Sequence, residues 1–206
     1  MSISRINVSR RELLLAGCAA LIGMAGLGFS RPALASDGYF PENDNLDDVQ
    51  INARSLELYN KYSVGDILSP SDADFVERYG MVPGARGTNT VYNSSYYNGA
   101  TYTLSGNRYL NNAYDSTYSY GATIQGGSGS VTCQSITVQL YIMVYGYNNG
   151  DYGVIYSNSH SSSGYNRSYY TAQFVGNFSG YFTASTMACS TSIVTPDGQT
   201  IAIGER

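Results

Sequence analysis

The sequence predicts a mainly β protein, an antiparallel β-sandwich preceded by one or two short helices. Three observations lead there. From about Thr90 onward, apolar and polar residues alternate with a period of two. Turn signals rich in Gly, Asn and Pro divide that alternation into seven or eight short runs. The most apolar of them, Val131 to Tyr156, alternates strictly and reverses at Asn148-Asn149-Gly150, a hairpin signature.

The first residues follow a different logic. Ser9-Arg10-Arg11-Glu12-Leu13-Leu14 opens an apolar run to Phe29, and Arg31-Pro32 follows. Ala33-Leu34-Ala35 then supplies the small residues, Ala33 and Ala35, of a signal cleavage site. The Arg10-Arg11 stretch resembles the bacterial twin-arginine export signal. That resemblance implies passage through the twin-arginine translocase in a folded state and secretion, with no stable membrane insertion after cleavage. Leu15-Ala16-Gly17-Cys18 also matches a lipoprotein box, but Cys18 lies early in the apolar run and a good cleavage site comes after it. The chain is therefore read as a signal peptide (1–35), an acidic, partly helical lead-in and linker (36–89) and a β-sandwich domain (90–206).

The lead-in begins as a solvated acidic stretch, Ser36 to Asp48. Over Asp47 to Tyr62, Val49, Ala53, Leu56 and Tyr59 share one helical face. Ser69-Pro70-Ser71-Asp72 starts a second helix: serine caps free N–H groups, proline suits the first turn, and Asp72 and Asp74 complement the positive helix end. Gly80 stops it. The stretch Tyr62 to Val76 resembles a lead-in of small secreted proteins of Gram-positive bacteria. Candidate strands are Thr90 to Tyr97, Thr101 to Leu104, Thr117 to Gln125, the central strand to Tyr145, Tyr152 to Ser157, Tyr169 to Val175, Tyr181 to Val194 and Gln199 to Ile203. Asn158 to Asn166, with four serines and His160, reads as a polar loop. In the central strand Ile136, Val138, Leu140, Ile142 and Val144 face one way, and Tyr141, Met143 and Tyr145 the other. Cys133 has the wrong parity for the first face unless a bulge at Gln134-Ser135 shifts the phase.

Cleavage after Ala35 leaves 171 residues with two cysteines, Cys133 and Cys189. In an oxidising compartment the simplest expectation is one disulfide between them, worth roughly 4 kcal/mol through loop closure; two buried thiols are the alternative. Such a bridge resembles the inter-sheet disulfide of immunoglobulin-like sandwiches, although no tryptophan is present.

Charge and motifs exclude several functions. Residues 36–77 carry ten acids against two bases, Arg54 and Lys61, a net of −8; from Arg78 onward five bases meet four acids. There is no basic patch, so nucleic acid is not an expected partner. His160 is the only histidine, and no Gly-x-Ser-x-Gly elbow accompanies it. Asp151 and Asp197 sit in Gly-containing turns that explain them. The run Asn43 to Asp48 lacks EF-hand spacing. No catalytic residue, cofactor or metal ligand is expected.

All 21 tyrosines follow the signal peptide, set among Ser, Thr, Gly and Asn. Tyrosine combines a rigid face with a hydroxyl at low entropic cost, which suits recognition surfaces; it is also a good strand residue. Tyr118, Tyr120, Tyr145, Tyr147, Tyr169 and Tyr170 are the candidate surface. The expected function is a secreted, non-enzymatic binding domain for an extracellular protein or glycan. The alternative is a bacteriocin-like toxin, because Tyr152-Gly153-Val154-Ile155-Tyr156-Ser157-Asn158-Ser159-His160 resembles a segment of lactococcin-type bacteriocins. No apolar tail follows Ile203, so release is expected over covalent anchoring.

Overall fold

A computed structural model describes residues 38–83, 88–112 and 116–204. Arg10, Arg11, Ala33, Ala35 and Cys18 lie outside the described residues. Eight strands form two antiparallel four-stranded sheets. They are β1 (Thr88–Tyr97), β2 (Ala100–Asn112), β3 (Thr117–Gly127), β4 (Cys133–Asn148), β5 (Asp151–Arg167), β6 (Tyr169–Ser179), β7 (Ala184–Val194) and β8 (Thr200–Ile203). One sheet, B, has the order β1-β2-β3-β6; the other, A, has β5-β4-β7-β8. One apolar cluster fills the space between them, with Leu104, Tyr120 and Ile124 from sheet B meeting Ile136, Val138, Leu140, Ile142 and Ile193 from sheet A. The expected sandwich is thus formed, and the five aliphatic residues expected to face the core from β4 are all fully buried. The β4–β5 hairpin turns where expected, with Asn149 and Gly150 both at positive φ (53° and 95°) as its tight turn requires.

The lead-in is part of this body. Helix α1 (Asp48–Lys61) is closed by a capping box between Asp47 and Gln50; α2 (Pro70–Tyr79) is capped by Ser69. The Ser69 cap was expected from the sequence; the Asp47 box was not. The helices lie against the outward side of sheet A, where Leu58, Phe75 and Val76 bury Met143, Tyr145, Val154 and Ala184 in a second apolar cluster. This decides the status of the second face of β4: at its far end it is buried under helix. The lead-in also closes both edges of sheet A. On the β5 side, Gly65 N–H donates to Val154 O (2.8 Å), Val154 N–H to Asp66 O (2.9 Å) and Leu68 N–H to Tyr152 O (3.1 Å). Gly153 permits this approach: a Cβ there would lie 3.1 Å from Ile67 Cα and closer still to Asp66 O. On the β7 side, Met81 pairs with Ser185 through two backbone bonds of 2.7 and 2.8 Å.

Between that bridge and β8, one side chain does the pairing. β8 covers β7 only from Thr191 to Val194. Further along the same edge, the Asn52 amide takes the place of a strand residue. Its Nδ2 donates to Cys189 O (2.9 Å), and its Oδ1 accepts from Cys189 N–H (2.8 Å). Asn52 is buried, so both bonds are made away from water.

Two expectations need correction. The run 158–166 is not a loop but the second half of β5, paired with β4 from Asn158↔Ile142 to Tyr165↔Ser135. Its alternation is real but made of polar residues: Ser157, Ser159, Ser161 and Ser163 point one way, Asn158, His160 and Ser162 the other. Nor is there a Cys133–Cys189 disulfide; both thiols are free and buried. The two strands are neighbours in one sheet, not partners across the core. Cys189 is opposite Leu140, and Cys133 lies seven residues further along β4, about 23 Å away at strand rise. A bridge needs Cα atoms within about 7 Å. Cys133 and Ile136 nevertheless both face the core, so the phase does change near Gln134, while the register shift of the β4–β5 ladder falls between Val144 and Tyr145.

Two measurements check this description. Replacing Asn52 by Ala strips two buried backbone groups of their partner, and at about 1–3 kcal/mol each the variant should lose about 2–6 kcal/mol in urea denaturation. Burial holds the Cys133 thiol above its ordinary value and pushes that of Cys189 up to about 11, against the opposing charge of Arg108. A thiol reagent should therefore count two free thiols after denaturation and react slowly with the folded chain, and reductant should leave the melting temperature unchanged.

Candidate functional site

The helices pack on sheet A, and the outward side of sheet B carries exposed side chains such as Tyr92, Tyr96 and Tyr169. Its residues follow from strand parity. Val91 on β1, Leu104 and Leu110 on β2, Ile124 on β3 and Phe174 on β6 turn inward, so their sequence neighbours turn out. The cross-strand register then sets rows: Tyr92, Ser105, Gln125 and Thr171 in one, Thr90, Asn107, Thr123 and Gln173 in the next. Among the described residues this face carries no charged side chain. Arg108, the one charged residue of these four strands, points inward.

A shallow groove of about 350 Å³ crosses the middle strands, lined by Thr90, Ser105, Asn107, Thr123, Gln125 and Thr171. Two contacts order its floor: Thr90 Oγ1 to Asn107 Oδ1 (3.3 Å) and Gln125 Nε2 to Thr171 Oγ1 (3.2 Å). The row beyond holds Tyr109 opposite Gly121. The phenol ring lies across that glycine: a Cβ on Gly121 would sit 2.5 Å from Tyr109 Oη and 2.7 Å from Cζ. On the other side of the groove, Tyr169 stands opposite Gly127, and Tyr92 stands at the β1 edge. Tyr92 and Tyr169 are 59% and 56% exposed.

The six expected surface tyrosines divide evenly. Tyr118, Tyr120 and Tyr145 are buried and cannot contact a ligand, which corrects their assignment. Even-numbered residues of β3 face the core, which places Tyr118 beside Phe178 and Phe182 and Tyr120 beside Tyr156. Tyr145 lies under the helices and bonds Thr186 Oγ1 (2.8 Å). Tyr147 is exposed at the hairpin end and Tyr169 on sheet B, whereas Tyr170 is half-buried, its hydroxyl 2.6 Å from Ser162 Oγ. Sequence reasoning passed over Tyr92 and Tyr109. Their parity, opposite to Val91 and equal to Ser105, was the available signal.

His160 enters a different setting from the solvated loop expected of it. Its Nε2 is 3.1 Å from Tyr120 Oη, which also meets Tyr156 Oη (3.2 Å) and accepts from Asn158 Nδ2 (3.0 Å). The ring stacks near Phe174 at 5.8 Å. Burial, then the bond with Tyr156, raises the Tyr120 phenol well above 10. A neutral phenol that keeps its proton makes this group a structural knot joining the two sheets at the β5 side.

Charge is concentrated on the lead-in instead. The carboxylate of Asp72 is fully buried and receives Lys61 Nζ (2.7 Å), Tyr62 Oη (2.6 Å), Ser69 Oγ (2.6 Å) and Arg54 Nη2 (2.5 Å). These groups come from α1, its C-terminus and the cap of α2, so they pin the helices to each other. Arg78 ties Asp74 (2.8 Å) to Asp44. Arg108 is 5% exposed, and its Nε and Nη1 have no hydrogen-bond partner among the described residues. Burial lowers its pKa, against the opposing influence of Cys189 and Asp48.

Acid should release the helix clamp. Burial opposes ionisation of Asp72, but its hydrogen bonds from Lys61, Ser69 and Tyr62, with the charge of Arg54, outweigh that and hold the pKa below 3.8. A lowered carboxylate stabilises fully above the ordinary value, and the contribution is lost as pH falls through the folded one. Denaturation free energy should thus drop below about pH 4, and Asp72→Asn should be less stable at neutral pH with a flatter acid limb.

No protein-family profile matches the chain, and no curated protein matches it. Solved structures that match include the sporulation control protein Spo0M from Bacillus subtilis, at 17% identity and a TM-score of 0.23. The match covers 48% of this chain and 46% of that one, so the chain spans under half the length of this neighbour. A likeness of that size carries no inference about fold or function.

Proposed function

We propose that the chain is an exported, non-enzymatic recognition domain that acts at the cell envelope or outside it. The twin-arginine translocase is its partner during export, and the outward face of sheet B is the surface that meets its ligand. One observation carries the reading: four strands present an uncharged face of Thr, Ser, Asn, Gln and Tyr, while acids and bases are gathered on the helices against the opposite sheet. Solvated surfaces ordinarily mix both charge signs. A face without either, bearing rigid exposed tyrosines beside small hydroxyl and amide side chains, has the composition of a recognition surface.

The export signal in 1–35 supports the location. The buried state of Tyr120 and the absence of a carboxylate among the described contacts of His160 favour binding over hydrolysis.

The test is retention of labelled mature protein on intact cells, isolated envelopes and supernatant proteins, with the double variant Tyr92→Ala/Tyr96→Ala as control. Wild type should bind one of these fractions at least about tenfold better than the variant. Equal retention of both proteins, together with turnover of an envelope substrate, would overturn the reading.

A further inference from the structure

We propose that the groove across sheet B binds a neutral polysaccharide, with Tyr109 as the platform for a sugar ring. This rests on the reading of the chain as a recognition domain and adds the chemical class of its ligand.

The groove offers hydrogen-bonding groups of both kinds. Thr90, Ser105, Thr123 and Thr171 contribute hydroxyls that both donate and accept; Asn107 and Gln125 contribute carboxamides. The Thr90–Asn107 and Gln125–Thr171 contacts use one side of each amide and orient it. The amino group of Asn107 and the carbonyl oxygen of Gln125 remain for a partner. A phosphorylated or uronic-acid ligand would find no cation on this face among the described residues, and a cationic peptide no carboxylate. An apolar ligand would strip water from six polar side chains without replacing their hydrogen bonds. A neutral ligand dense in hydroxyls matches what is left.

The aromatic residues add shape. The hydroxyl end of Tyr109 lies over Gly121, where the missing Cβ leaves room for it, in the row next to the groove. A phenol beside hydrogen-bonding groups is amphipathic in the way a sugar is, one face C–H and the rim hydroxyl. Tyr92 on β1 and Tyr169 on β6 stand at opposite edges of the sheet, three strand spacings apart (about 14 Å) and one register row out of line, with Tyr109 on the far side of the groove. A ligand that meets more than one of these rings must be several sugars long, which favours a polymer over a single sugar.

The experiment is calorimetric titration of the folded mature chain with soluble neutral hexasaccharides derived from α-glucan, β-glucan, xylan and mannan, and with a polyuronate fragment as the charged control. One neutral class should bind, with little change between low and high salt because no ion pair is made. Tyr109→Ala and the exposed Thr123→Glu should each weaken it at least about tenfold while leaving the melting temperature unchanged; Tyr92→Ala serves if Tyr109→Ala unfolds. Glycan binding untouched by these variants would overturn the groove as the site. Preferred binding of polyuronate would overturn the neutral class. Retention on envelopes that protease abolishes and glycan hydrolases leave intact would overturn the polysaccharide and keep the recognition domain. Retention on no fraction at all would overturn both.

Discussion

The paired hydrogen bonds between the Asn52 amide and the Cys189 backbone are the joint on which the assembly depends. A sheet edge with unpaired backbone groups invites another strand. Sheet A has two such edges, and its own last strand is four residues long. The lead-in supplies what is missing: a side-chain amide and Met81 at β7, residues 65–68 at β5. The helices span the outward side of the sheet between those anchors, and the Asp72 clamp keeps them together. Remove the whole lead-in and sheet A would lose its outer apolar contacts and both edge closures at once. Sheet B keeps its outward face bare, which is why recognition is placed there.

Much of this plan is written in the local sequence. The helix caps Asp47 and Ser69, the Asn-Asn-Gly turn and the five aliphatic residues of β4 all obey short-range rules, and each appears where those rules put it. What could not be read locally depends on which strands become neighbours. Cys133 and Cys189 suggest a bridge only until β4 and β7 are known to lie side by side. Asn158 to Asn166 look like loop because serine is a turn residue, yet period two persists there and the β4 ladder turns the run into strand. Gly106 and Asn107 likewise read as a break, but β2 runs through them because β1 and β3 pair with it on both sides.

The candidate site was legible in composition and misread in address. Tyrosine, serine and threonine did point to an uncharged surface. Choosing individual tyrosines from their proximity to turns placed three of six in the core. Two of the rings are matched to glycines across a strand pair: Tyr109 lies over Gly121, Tyr120 over Gly176. The glycine clears a space that the aromatic ring fills, so abundant Gly and Tyr are two halves of one packing device and not separate compositional biases. That device serves the core in one case and the outer face in the other, which is why residue type alone did not separate them.

The order of strands has a consequence in time. Sheet B needs only residues up to Ser179, and β1, β2 and β3 pair in sequence as they are made. Sheet A is different: its central ladder joins β4 to β7, with Ser135 opposite Val194. Asn52 waits longest, since Cys189 follows it by 137 positions. The helices find Met143, Tyr145 and Val154 once β4 and β5 exist, but the Asn52 bonds and the contact of Met81 with Ser185 wait for β7. Contacts of such long range form more slowly than local hairpins, so the closing of the β7 edge is expected late in folding.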